Sequence, residues 1–388
     1  MQFSQQKRTL EYKFRLFPSS SALSANLYIY AGDLPASFLQ QLLKFMRVTI
    51  FFNLLVTALS IGSIPAAAAD EVESVYRLGS GYPVGKTGLR IGGYASAKIG
   101  VPRADPWYFE ISDLSLFLTG DNGSRLRFFS ELEVGDVLSA GEHQSLGIQK
   151  AHFEFERFYI DGLVNNNLTV RVGKFLTPIG QWNLIHAAPL VWTTFRPVAT
   201  ENLFSTHAAG LMFYGSVSVA SRQLEYSVYG DMSESIDPHR SKNPFENAAG
   251  AHLRYFLNDT LQIGASFANF VLNGLQPTRY YLAGLDIAWS YQQYELSSEI
   301  VYRTNAHANI ESAWQGFVQS IIPVSEHWFV VGRYEFFEQP QDETGQVGLL
   351  GLAYRPLPPL VWKLEYRLGT NNETLAPDGL SASFAILF

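Results

Sequence analysis

Four carboxylates crowd one short stretch of the chain, Glu131 and Glu133 and then Glu154 and Glu156. Two acids flanking a scissile bond are the machinery of glycoside hydrolysis. Here the acids recur every second residue and share that spacing with Arg125, Arg127 and Lys150. A solvated wall of mixed charge accounts for them without catalysis. Gly79-Ser-Gly-Tyr-Pro-Val-Gly-Lys-Thr87 comes near a phosphate-binding loop, which needs Gly, four residues, then Gly-Lys. Ser80 stands where the first Gly is required, no strong strand precedes it and no helix follows. The eight His never recur at i, i+3 or i+4, so no local metal site is legible. No G-x-S-x-G elbow, H-E-x-x-H pair or G-x-G-x-x-G fingerprint occurs. Cys is absent, which excludes disulfides, thiolate catalysis and Cys-ligated metals. A net charge of −7 argues against a nucleic-acid binder, which needs a basic face to neutralise phosphates. No enzyme activity, cofactor or metal is expected.

One segment keeps chemical interest. Residues 175–208 are apolar-rich, yet carry Trp182, His186, Trp192, Arg196, Glu201 and His207. The segment is too long for a structureless connection in a compact fold. It is expected to fold against a surface; an external cap and a subunit contact are the alternatives to an inner wall.

The elements that must position these residues have a period of two. Leu360, Trp362, Leu364, Tyr366 and Leu368 fall on one face, and Lys363, Glu365 and Arg367 on the other. The same split recurs over Leu126 to Val134 and over Tyr294 to Arg303. Side chains of a strand alternate between two faces, so each strand has an apolar wall and a charged wall. A soluble sandwich would bury the apolar walls together. A transmembrane barrel would turn them to lipid and the charged walls to a watery lumen.

Counting favours the barrel. Sixteen strands are placed between residues 89 and 388, most of them 9 to 12 residues, the length a tilted strand needs to cross a bilayer. They include 125–134, 149–158 and 168–174. Short connections such as 257–260 and 291–293 alternate with longer ones, notably 135–148, 175–208, 232–247 and 369–378. An up-and-down barrel has that asymmetry, with the long connections external and 175–208 the third of them. Tyr and Trp gather near strand ends, among them Tyr159, Tyr280, Tyr281, Trp289, Trp328 and Trp362, where barrels carry aromatic girdles. The last strand ends at Phe388 and must pair with the first, because an open edge in lipid leaves backbone groups unsatisfied. Charged residues are only 16% against roughly 25% for soluble domains, as one lipid-facing wall per strand would produce.

Upstream, residues 46–69 read as a secretory signal: Arg47, an apolar centre from Val48 to Val56, and Ala67-x-Ala69 before Asp70. A helical anchor is the alternative. Residues 1–45 then precede a signal that should begin the chain, so Met46 is expected to be the true start. Residues 70–88 are expected to be a flexible N-terminus, and 89–388 the barrel.

Arg171-Val-Gly-Lys-Phe-Leu-Thr-Pro-Ile-Gly-Gln-Trp-Asn183, followed by His186-Ala-Ala-Pro-Leu-Val-Trp192, resembles the strand-then-loop signature of the porin superfamily that includes the phosphate-selective porins O and P. The resemblance implies a homotrimeric diffusion channel in the outer membrane of a Gram-negative bacterium. Separately, Leu380-Ser-Ala-Ser-Phe-Ala-Ile-Leu-Phe388 resembles the C-terminal assembly signal of bacterial outer-membrane barrels, which implies that this strand engages the barrel-assembly machinery. Phosphate selectivity in that family rests on lysines gathered in the pore; this chain has six Lys beyond Asp70, so the expected cargo stays at small hydrophilic solutes or ions.

Alternation gives an inward basic set of Arg90, Lys98, Arg125, Arg127, Lys150, Arg171, Arg254, Arg303, Arg333, Lys363 and Arg367. The inward acidic set is Glu131, Glu133, Glu154, Glu156, Glu225, Asp286, Glu295, Glu299, Glu335 and Glu365. The two nearly cancel, so selectivity should come from charges at a constriction. Lys174, Trp182, His186, Arg196 and Glu201 are the candidates. Arg157 alone breaks the pattern as an outward charge near a strand end. A non-transport barrel, either a surface receptor or adhesin or a structural protein, is the competing function; a barrel-embedded hydrolase would need a Ser/His/acid set that is not found.

Overall fold

Leu360–Thr370 alternates apolar and charged residues, and it folds as a strand with Lys363, Glu365 and Arg367 buried and Leu364 and Leu368 exposed. That inversion of ordinary burial runs through the molecule. The computed structural model describes residues 76–388 apart from 86, 122, 124, 149–150, 186, 233–243, 273–277, 306–311 and 339–343. The expected leader, the signal segment, His186, Lys150 and most of the 232–247 connection lie outside the described residues.

Sixteen antiparallel strands close one sheet. They are β1 (Leu89–Pro102), β2 (Tyr108–Asp121), β3 (Leu126–Gly141), β4 (His152–Asn165), β5 (Leu168–Leu176), β6 (His207–Val219), β7 (Arg222–Asp231) and β8 (Phe245–Phe256). The second half is β9 (Leu261–Leu272), β10 (Thr278–Tyr291), β11 (Tyr294–Asn305), β12 (Ala313–Pro323), β13 (Trp328–Glu338), β14 (Thr344–Leu357), β15 (Leu360–Thr370) and β16 (Gly379–Leu387). Each pairs with its chain neighbours, and β16 returns to β1 from Gly379↔Pro102 to Leu387↔Tyr94. The amides of Gly93 and Phe388 each donate to the other residue's carbonyl at 2.8 Å. The final residue is therefore part of the seam. Among the described residues closure gives every strand two partners, the condition for a sheet surrounded by hydrocarbon.

The outer face is apolar and exposed: Phe267 at 62%, Leu285 at 63% and Leu350 at 67%. The inner face hides charge, with Glu131 at 0% and Glu365 at 2%. Such an outside is stable only where the surrounding medium is itself apolar. Outward rings pair near strand ends, as in Trp328 stacked on Tyr354 and Tyr302 against Trp314. Tyr159 and Tyr280 depart from the expected girdle. Both occupy inward positions, where Arg171 and Arg303 lie over their rings at 3.6 and 4.6 Å. Cation–π contact and shielding from lipid favour that facing.

Two boundaries also differ from expectation. Strand β3 runs on to Gly141, and β4 reaches Asn165, with only a tight turn before Leu168. The expected 135–148 connection is thus partly strand, and Gln144–Gly147 folds back to pair with Gly141 and Ser139. Tyr82–Pro83 pairs onto Ile91 and Arg90.

A bulge in β4 corrects Arg157. Glu131 pairs with Arg157 but Leu132 with Phe155, so Glu156 is an extra residue and everything after it changes face. Arg157 therefore turns inward and donates to Glu131 at 2.5 Å. It sits mid-strand, not at a strand end.

Candidate functional site: the inner wall and the loop it holds

The connection from β5 to β6, residues 177–206, lies against the inner wall. Its entry is the Gly-Lys-Phe-x-x-Pro-x-Gly stretch. Gly173 has φ +134 and Gly180 φ +65, a region that favours glycine. A Cβ on Gly180 would run into the Glu299 carboxylate, and one on Gly173 into the Phe158 carbonyl. Both glycines permit close backbone approach, one to a strand and one to a wall side chain.

From there the wall of β9–β16 grips the loop backbone. Carboxylates take its amides: Glu299 accepts from Gln181 and Trp182 at 2.7 Å, Val198 donates to Glu335 at 2.7 Å, and Thr194 donates to Glu365 at 2.9 Å. Cations take its carbonyls: Lys363 donates to Ala188 and Thr193 at 2.8 and 3.0 Å, Arg333 to Phe195 at 3.0 Å, Arg303 to Leu203 at 3.1 Å. Side chains add to this, with Gln181 donating to Asp286 at 2.7 Å and Trp192 Nε1 to Glu295 at 2.8 Å. Hydrogen bonds to charged partners contribute about 1.5–3 kcal/mol each. A chain of them fixes a segment that has no sheet of its own.

Apolar packing completes the hold. Under Ala188 and Trp192 the inner wall is itself apolar, built from Ile321, Phe329, Val331, Leu349, Ala353, Val361 and Ala385. Trp182 meets Phe317 edge-on at 5.9 Å, in a cluster with Ala199. Arg367 lies over the Phe195 ring at 3.8 Å.

The wall of β1–β8 behaves otherwise. Its charges pair with one another: Lys98 with Glu110, Lys174 with Glu154 at 2.8 Å, and Arg254 with Glu225, while the His207 ring lies 2.7 Å from Glu156. Arg171 grips Asp161 through Nε at 2.7 Å and Nη2 at 2.8 Å. Glu133 instead accepts from the hydroxyls of Tyr94 and Ser115.

The expected constriction residues are thus dispersed. Lys174 belongs to the β5 wall and its ion pair. Trp182 is a buried residue of the loop, packed on the wall at Phe317. Arg196 stays within the loop, donating to Asn183 Oδ1 at 3.1 Å. Burial lowers its pKa, while Glu201 and Glu299 oppose that shift. Glu201 is exposed just after the short 3-10 turn Val198–Thr200. Two expected lining residues are corrected. Arg125 is exposed in the connection before β3, and Arg127 is half-exposed at the barrel rim, paired with Asp121 at 3.2 Å. Both sit at the end of the strand rather than on the mid-wall, because alternation fixes a facing but not a depth. Glu131, Glu133, Glu154, Arg171, Glu299, Arg303, Arg333, Glu335, Lys363, Glu365 and Arg367 all stand on the inner wall.

Sequence reasoning missed Arg355, which donates to Pro189 and Val191 carbonyls at 2.9 and 3.4 Å and stacks over Trp192 at 4.3 Å. It reads as the first residue of a proline-rich turn, Arg355-Pro-Leu-Pro-Pro359. Its alternation with Val347, Leu349, Gly351 and Ala353 could have revealed it, since β14 extends to Leu357.

No family model matches the chain. An uncharacterised protein of Aquifex aeolicus is 25% identical over 335 residues, covering 72% of this chain and 76% of that one. Among solved structures, an anion-selective porin from Comamonas acidovorans superposes with a TM-score of 0.56 at 16% identity, over 77% of this chain and 99% of that one. The fold is that of outer-membrane porins. A trimer form of the outer-membrane protein OmpT of Vibrio cholerae matches with a TM-score of 0.53 at 9% identity, over 77% and 99% of the two chains. At such identities the likeness concerns the fold, and the inner wall has to be read from this chain's own residues.

Proposed function

We propose that this barrel is a porin, a water-filled channel for passive diffusion of small hydrophilic solutes or ions across an outer membrane. The observation that carries the reading is the long β5–β6 connection held inside a closed sheet whose exterior is apolar and whose interior is charged. A loop there narrows the lumen without interrupting the wall. Lys174, Arg171, Glu154 and the other inner-wall charges would meet the permeant, along with Arg196 and Glu201 on the loop. Export by the 46–69 segment, a start at Met46, assembly through the Phe388 strand and a homotrimeric state belong to the same proposal. No step of it requires catalysis or a cofactor.

Stepwise conductance of the purified chain in a planar bilayer tests this, with a reversal potential in a salt gradient reporting selectivity. A folded chain that never conducts overturns it. The density of loop tethers favours a second reading, a plugged barrel serving as a surface receptor, adhesin or structural protein, and that same null result would support it.

A further inference from the structure

Most buried charge in this molecule is spent on ion pairs or on the loop backbone. One place differs. Between the loop and the short-turn half of β10–β14 lies a cavity of about 420 Å³. Its loop side presents Trp182, Ile185, Leu190 and Trp192, and its wall side presents Glu295 and Arg355. Ile185 and Leu190 are 37% and 53% exposed although the loop lies inside the barrel. Large apolar groups left in the open at such a place mark a surface that something apolar covers.

The polar groups say what else that solute carries. Trp182 Nε1 and Arg355 Nε find no acceptor among the described residues. A buried donor without an acceptor is a standing cost, so an incoming acceptor is favoured. Glu295 accepts one hydrogen bond, from Trp192, and keeps capacity for a donor. A lone carboxylate entering here would meet Glu295 and Glu299, and a lone amine would meet Arg355. A molecule with both groups meets neither penalty.

We infer that this cavity is a binding subsite for zwitterionic solutes with an apolar body, the chemistry of a hydrophobic α-amino acid. The carboxylate is placed toward the Arg355 and Trp182 donors, the ammonium toward Glu295, and the side chain against Ile185, Leu190 and the indole rings. This deepens the porin proposal and rests on it for its role in permeation; occupancy of the cavity itself does not.

The test uses the full chain in a planar bilayer with L-phenylalanine as probe, and glycine, phenylacetate and phenethylamine as controls. L-Phenylalanine is expected to interrupt the current saturably. Each control lacks one recognised group and should act at least about tenfold more weakly, the loss of a charged hydrogen bond for phenylacetate and phenethylamine and of the buried ring for glycine. Glu295→Gln should weaken L-phenylalanine while leaving phenylacetate unweakened, and Arg355→Gln should do the same with phenethylamine. A conducting channel indifferent to L-phenylalanine, or one that responds equally to glycine or to phenylacetate, overturns the inference and leaves the porin reading standing. If the folded chain does not conduct, indole fluorescence titrated with L-phenylalanine decides: saturable quenching supports the subsite while the porin reading fails, and no quenching overturns the subsite too.

Discussion

Two halves of one wall use the same residue types for opposite purposes. Along β1–β8 the charges neutralise each other in neighbour pairs, such as Arg171 with Asp161 and Lys174 with Glu154. Along β9–β16 they neutralise backbone dipoles of the inward loop, as Glu299 and Lys363 do, and even a close pair there, Arg333 with Glu335 at 2.8 Å, also hydrogen-bonds the loop through both partners. The difference teaches that a tally of inward charges does not describe the field in the lumen. A paired wall keeps its dipoles facing the water, whereas a wall that holds a loop hides them.

The comparison breaks most sharply at Glu299. Replacing it with Ala leaves the Gln181 and Trp182 amides without an acceptor, at a cost of about 4 kcal/mol for two buried donors. Unfolding in urea is expected at lower denaturant, and single-channel records should show a larger, noisier current as the loop entry loosens. Unchanged conductance and stability would mean that the loop holds itself.

Arg157→Gln strikes the paired wall at its most buried point. It strands the fully buried Glu131, a loss of about 3 kcal/mol. The double variant with Glu131→Gln should recover most of it, and a double-mutant cycle measures the coupling. No effect on the loop, and hence no added current noise, is expected from either.

Lys363→Met removes two donations to loop carbonyls while keeping an unbranched apolar stem, for about 2 kcal/mol. Current noise should rise with little change in reversal potential. Lys174→Gln should do the reverse: a stability change of about 1 kcal/mol or less, since its pair is partly solvated, with the reversal potential moving toward cation selectivity as Glu154 is freed. If Lys363→Met moved selectivity and Lys174→Gln moved gating, the division of the wall would be wrong.

Much of this was legible from residues alone. Facing follows from period-two alternation, which is fixed by the geometry of an extended backbone, while strand number follows from strand and connection lengths and the closing role of the Phe388 strand from the need to pair every edge. Glu131, Glu299, Arg333 and Lys363 sit buried on the inner face because of that alternation. Alternation failed where the backbone gained a residue, at the Glu156 bulge that turned Arg157 inward. It also failed where an arginine was read as part of a turn, at Arg355.

The partners of the loop were beyond its reach. Thr194 meets Ser383 across 189 positions of sequence, and Lys363 meets Ala188 across 175. Nothing local encodes such meetings. They exist because sixteen strands close on themselves and bring the far wall within a hydrogen bond of a loop that enters from β5. Alternation along the chain fixes which side chains face inward except at the Glu156 bulge and at Arg355; closure of the barrel fixes which of them the loop covers.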